Sequence, residues 1–255
     1  TVGCITKEQK DIDYALSLGM IKEGSTEVKA EFVQKADLII FALYPHIFVE
    51  WIKEHQHLFA AGTLITDVTG VKSQIVDEVQ SILRPDVEFI AAHPMAGRES
   101  SGVEYSDDRV FIGANYIITP TDVNTQKAID FSKKLGKDLG FENISVLSPE
   151  KHDEMIAFLS QLTHCIAVSL MTCKESQYLK DYTGDSFRDL TRIANINENM
   201  WSELFMLNKQ ELLSQMELFI KEFNKLKTSL ENEDVDTMKE MMKLSTYRRS
   251  FFNKK

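Results

Sequence analysis

Residues 63–92 read TLITDVTGVKSQIVDEVQSILRPDVEFIAA. Thr63 to Val68 is a short apolar run rich in β-branched residues, and Thr69-Gly70 a small-residue turn. An amphipathic helical pattern then runs from Lys72 to Leu83, and a second apolar run from Val87 to Ala92. A strand, a turn, a helix and a strand in that order form the repeating unit of a parallel sheet.

The same alternation extends in both directions. Apolar runs recur at Leu38 to Leu43, Asn115 to Thr119 and Asn143 to Leu147, separated by helical patterns at about Pro45 to His57 and Thr125 to Leu139. This predicts a doubly wound, parallel α/β sheet. A dinucleotide-binding sheet of that kind opens with a strand and a G-x-G-x-x-G turn, whose glycines let the backbone approach a pyrophosphate. The chain instead begins Thr1-Val2-Gly3-Cys4-Ile5-Thr6, which reads as the second strand of such a sheet, followed by a helix through Ala15 to Leu18 and a stop at Gly19. Either the first βα unit is missing from a fragment, or the sheet is a reduced one. The tip of the second strand normally carries an acidic residue for the ribose of NAD. Thr6 and Lys7 stand there, and they suit a 2′-phosphate better than a bare diol, so NAD and NADP both stay open.

Composition changes near residue 149. All five prolines and ten of the eleven glycines lie at or before Pro149, and only Gly184 follows. From residue 150 onward the apolar residues recur at three- and four-residue intervals, from Met155 through Met171 and again from Leu204 through Leu226, which predicts an all-α second domain, 150–255, after an α/β domain, 1–149. Met216, Phe219, Ile220, Phe223 and Leu226 form a broad apolar stripe, which predicts homodimerisation through the helical part.

A net charge of −10, from 29 Lys plus Arg against 39 Asp plus Glu, repels a phosphate backbone and argues against nucleic acid as a partner. The three cysteines, Cys4, Cys165 and Cys173, lack C-x-x-C spacing, so neither a disulfide framework nor a metal site is expected. No run approaches the ~18 to 20 apolar residues of a bilayer span and no secretory signature opens the chain, so no membrane partner and a cytoplasmic location are expected.

Chemistry-bearing residues cluster in four places. His93-Pro94-Met95-Ala96-Gly97-Arg98-Glu99 follows the run Val87 to Ala92, putting an imidazole at the exit of a buried strand, on the rim where α/β sheets bind ligands. Thr69 and the amides around Gly70 end the neighbouring strand at the same rim. Ser160, Thr163 and His164 share one helical face at i, i+3 and i+4, either lining a pocket or bonding between helices. In Phe187-Arg188-Asp189-Leu190-Thr191-Arg192-Ile193-Ala194, Asp189 stands i, i+3 from Arg192, so it can orient a guanidinium for a substrate carboxylate or form a plain surface ion pair.

Taken together, the HPMAG-x-E run, the preceding D-x-x-x-V-K turn, the S-x-x-x-H helix and the F-R-D-x-T-R-I-A block leading to Met200-Trp201 resemble the prephenate dehydrogenases of tyrosine biosynthesis. The resemblance spans about Thr66 to Asn208. It departs in the missing glycine turn, in Gly70 where many members carry Ser, and in Gln161 where many carry His. It implies a Rossmann-like cofactor domain followed by a helical dimerisation domain. The implied reaction is the oxidative decarboxylation of prephenate, or alternatively of arogenate, with hydride transfer to NAD or NADP.

Carried over by position, His93 would be the catalytic imidazole, neutral at working pH, and the hydroxyl that Gly70 lacks would be either dispensable or supplied by Thr69. Arg192, held by Asp189, would bind a substrate carboxylate, Glu99 would close over the substrate or gate its entry, and Gln161, His164 and Trp201 would shape its pocket. Thr6, Tyr44, Pro45, Asp67 and Gly70 would face the cofactor. Beyond Leu230 no room for a regulatory domain is expected. The rival readings are another two-domain hydroxyacid-type dehydrogenase and a cofactor-free ligand-binding relative, which cofactor binding would separate.

Overall fold

The computed structural model describes residues 1–97, 102–175 and 177–252. It has two compact units, Thr1–Asn208 and Lys209–Lys255.

The first unit opens with β1 (Gly3–Ile5), α1 (Gln9–Ser17) and β2 (Glu23–Ser25), the two strands pairing in parallel. After α2 (Ala30–Val33), strands β3 (Leu38–Phe41), β4 (Leu64–Asp67) and β5 (Glu88–Phe89) form a parallel sheet in that order, with α3 (Pro45–His55) and α4 (Ser73–Ile82) as its crossovers. A third sheet contains β6 (Ala91–Met95), β7 (Asn115–Thr119) and β8 (Asn143–Val146), with α5 (Gln126–Asp138) between the last two. Among the described residues no strand pairs with the second edge of β1 or of β3, the positions that flank the first strand in a complete doubly wound sheet.

Local chemistry starts two of these helices. Pro45 occupies the first turn of α3, where a missing N–H costs nothing, and Phe48, Val49 and Ile52 bury its inner face. Thr125 caps α5 by accepting the Ala128 N–H, and Gly136 lets that helix lie against β7, since a Cβ there would come within 2.7 Å of the Tyr116 ring. Phe48, Ile52, Ile65, Val76, Val79 and Phe89 form the central core between the β3–β5 sheet and its helices, each at most 2 % exposed.

Two details differ from the sequence reading. The run Val87 to Ala92 is divided at Ile90, which ends the pairing with β4 through its N–H to the Ile65 carbonyl. The chain then enters β6, antiparallel to β7 in an otherwise parallel set. Pairing with β7 continues through Met95, so His93 lies inside a strand, opposite Ile117, and not at a strand exit.

Beyond Pro149 the chain is helical. Ser148 caps α6 (Pro149–Ile156) through the Lys151 N–H. A π-helical turn at Ala157–Gln161 carries the helix on into α7 (Leu162–Thr172), and α8 (Asp185–Thr191) and α9 (Glu198–Leu207) complete the unit. Contrary to the sequence reading, the continuous helix Pro149–Thr172 is long and apolar enough to meet the composition of a bilayer span. One side of it carries His152, Asp153 and Gln161, all buried and hydrogen-bonded to other parts of the first unit.

The second unit is a hairpin of α10 (Lys209–Glu231) and α11 (Val235–Arg249). The chain reverses at Glu233, a non-glycine residue with φ of 56°, and Asp234 caps α11 by accepting the Thr237 N–H. Phe219, Ile220, Phe223 and Leu226 of the apolar stripe are exposed.

Candidate active site

The carboxyl end of β4 runs into the turn Val68–Lys72, which a buried ion pair holds in place. Lys72 and Asp67 have fully buried side chains and meet at 2.7 Å. The ammonium also reaches the Thr69 hydroxyl at 3.1 Å and the Ala92 carbonyl at 2.6 Å, so all three of its protons have acceptors. Asp67 in turn accepts the Thr69 N–H, the Thr69 hydroxyl and the Ala92 N–H. Both backbone polar groups of Ala92 are therefore held by this pair, and Ala92 immediately precedes His93.

On its other side His93 meets α6. Its Nδ1 lies 2.9 Å from Nε2 of His152, and Nδ1 of His152 lies 2.8 Å from Oδ1 of Asp153. The Asp153 carboxylate also accepts the N–H of Lys72 and of Ser73, each at 2.8 Å. Those amides open α4, which has no side-chain cap of its own, so a carboxylate some 80 residues away in the chain does the capping.

Electrostatics follow from this enclosure. Burial, the Lys72 charge and His152 hold His93 well below the usual histidine range, so it is neutral at pH 7. Burial also lowers His152, against the opposing hydrogen bond to Asp153. Burial pushes the Asp153 carboxyl up, but hydrogen bonds from His152 and Ser73 outweigh it and hold the group below the ordinary carboxylate range. Burial lowers Lys72, with Asp67 opposing.

The structure brings several predicted residues together. The rings of His164 and Trp201 stack with centroids 3.7 Å apart, and His164 Nδ1 donates to the Ser160 carbonyl at 2.8 Å. Tyr44 caps no helix with its side chain but leads into α3 at Pro45, exposes its ring and accepts a bond from Asn197 Nδ2 at 3.2 Å. Thr6 is half-buried beside β2, its N–H bonded to the Ser25 carbonyl. Gly70 leaves room for a side chain, since a Cβ there would meet only Leu204 at 3.5 Å. Asp189 lies in α8 and Arg192 opens the following 3-10 turn, both exposed, while the neighbouring pair Arg188–Asp185 closes at 2.7 Å. Glu99 lies outside the described residues.

Three predicted residues have their polar groups engaged within the fold. Asp67 is 1 % exposed and its carboxylate is used within the protein, so it holds the turn and does not face a cofactor. The Thr69 hydroxyl is spent on Asp67 and Lys72. Gln161, also 1 % exposed, donates to the Leu204 carbonyl and accepts from Asn208, joining α6–α7 to α9 instead of lining a pocket. Lys72, His152 and Asp153 were missed. Their signal was a polar pair, His152-Asp153, on the helix face that also carries the buried Ile156 and Ala157. An open cleft of about 590 Å³ lined by His46, Gln74, Ser202, Glu203, Met206 and Leu207 adjoins the starts of α3 and α4, apart from the His93–His152 pair.

Comparison with known proteins accords with this geometry. The family model for the prephenate dehydrogenase nucleotide-binding domain matches residues 1–144, and that for the dimerization domain matches 148–244. Prephenate dehydrogenase of Bacillus subtilis is 31 % identical over 230 residues, covering 88 % of this chain and 62 % of the relative, and that of Lactococcus lactis is 30 % identical over 223 residues, covering 84 % and 61 %. This chain thus spans about three fifths of the length of those relatives. The crystal structure of the Aquifex aeolicus prephenate dehydrogenase with hydroxyphenyl propionate and NAD+ superposes with a TM-score of 0.89 at 29 % identity, covering 98 % of this chain and 88 % of that one. A nucleotide-binding match over the β-rich part and a dimerization-domain match over the helices make this chain a member of the prephenate dehydrogenase family.

Proposed function

We propose that the chain carries out the oxidative decarboxylation of prephenate to 4-hydroxyphenylpyruvate in tyrosine biosynthesis, with NAD(P)+ as hydride acceptor. The observation that carries this reading is the placement of His93, fixed through Ala92 by the Asp67–Lys72 pair on one side and by His152 on the other. The names of the B. subtilis and L. lactis relatives and the ligands of the A. aeolicus structure support it.

Residues 1–149 form the cofactor part in this reading and 150–255 the substrate and dimerisation part. The exposed ring of Tyr44, the start of α3 at Pro45, the open turn at Gly70 and Thr6 fit the ribose and nicotinamide side of a dinucleotide. When bound, that cofactor takes up a hydride from C4 of the substrate. His93 accepts the proton of the C4 hydroxyl as that carbon becomes ketone-like. The ring carboxylate leaves as carbon dioxide, its bonding electrons enter the ring, and the ring becomes aromatic. Arg192 binds a remaining carboxylate with Asp189 beside it, and the stacked His164 and Trp201 shape the pocket. The exposed stripe Phe219, Ile220 and Phe223 is the homodimer face in this reading, and a cytoplasmic location goes with it.

The test is turnover of prephenate with NAD+ and NADP+, followed at 340 nm, alongside calorimetric binding of each ligand. Formation of reduced cofactor and 4-hydroxyphenylpyruvate, abolished by His93→Asn with substrate binding kept, supports the reading. Binding of both ligands without turnover overturns it.

A further inference from the structure

We propose that His152 and Asp153 are positioning residues that lock His93 in the tautomer protonated on Nδ1, leaving its Nε2 bare to accept the substrate proton. This rests on the proposed function for its consequence, but not for its geometry.

A carboxylate only accepts, so at 2.8 Å from Asp153 Oδ1 the His152 Nδ1 must carry its proton. A neutral imidazole has one N–H, so His152 Nε2 is then a bare acceptor. Only a donor fits 2.9 Å from it, and the atom there is His93 Nδ1. The proton of a neutral His93 is thereby committed to Nδ1, and Nε2 keeps its lone pair. Burial lowers the titration of both rings, which keeps each of them neutral.

Asp153 cannot rotate out of this arrangement without loss. Its Oδ1 also accepts the Lys72 N–H and its Oδ2 the Ser73 N–H, so turning the carboxylate would uncap α4. The chain of bonds therefore begins at a helix terminus and ends at the imidazole, and its two members behind His93 are shut off from water. His152 is 0 % exposed and Asp153 3 %. The Asp153 charge also favours the imidazolium that forms as His93 takes the proton.

The test uses the full chain with 15N-labelled histidine and long-range 1H–15N spectra, assigned with His93→Asn. The expected wild-type spectrum has His93 protonated on Nδ1. His152→Leu should release His93 toward the Nε2-protonated tautomer and lower kcat on the order of 10²-fold with KM within about threefold. His152→Gln, whose amide oxygen can accept from Nδ1, should recover much of both. A wild-type His93 protonated on Nε2 overturns the proposal, as does a His152→Leu variant that changes tautomer but keeps its kcat. The wild-type spectrum decides even if a variant fails to fold. It also needs no turnover, so an inactive chain with the expected tautomer would refute only the proposed reaction.

Discussion

Lys72 and Ala92 are joined at 2.6 Å, ammonium to carbonyl, across 20 residues of chain, and the amide of Ala92 is held by Asp67, the ion-pair partner of that same ammonium. The β4–α4 turn and the backbone at His93 are thus one rigid piece. Lys72→Met leaves a buried carboxylate without its cation and is expected to cost about 3–5 kcal/mol, read from urea unfolding. Adding Asp67→Asn to that variant should recover part of the loss. A cost under about 1 kcal/mol for Lys72→Met would mean that the pair does not hold the turn.

Stability should fall as pH drops below the ordinary histidine value of about 6.5. His93 and His152 both titrate lower in the folded chain than in the unfolded one, chiefly through burial. Below that pH the unfolded chain takes up protons that the folded one refuses, so the stabilisation is complete above it and is lost on acidification, with a slope of about 1.4 kcal/mol per pH unit for each ring. Unfolding curves between pH 7.5 and 5.5 read this directly, and His152→Gln should flatten the slope by about one ring's share.

Thr69→Val removes a hydroxyl bonded to both Asp67 and Lys72. The expected result is a stability loss of about 1–3 kcal/mol, restored by Thr69→Ser. A fall in kcat with unchanged stability would instead place that hydroxyl in the reaction itself.

Gly70→Ser should be accepted. The nearest atoms to a new Cβ are the Leu204 methyl carbons at 3.5 and 3.6 Å, an ordinary contact, and the position needs no positive φ. Thermal unfolding should stay within about 0.5 kcal/mol of the parent, and kcat should not fall.

Phe223→Asp puts a charge into the exposed apolar stripe of α10. Sedimentation should show a shift from dimer to monomer, whereas an unchanged sedimentation coefficient would remove this stripe from the interface.

What the sequence alone determined lies in short-range chemistry. Alternating strand and helix periods marked the α/β part. Helical patterns began at Pro45 and Thr125, residues that start helices, and the HPMAG run identified His93. Each signal acts within a turn or two of chain, where periodicity and capping operate.

The tertiary structure decided everything that depends on distant partners. It split the run Val87 to Ala92 at Ile90, because one half pairs with β4 and the other with β7. It turned Asp67, Thr69 and Gln161 inward as ties within the fold. It also brought His152, 59 residues away, onto His93, and Asp153, 81 residues from Lys72, onto the start of α4. Buried polar groups must find partners wherever the packed chain places them, and those pairings have no period or spacing in the sequence to announce them.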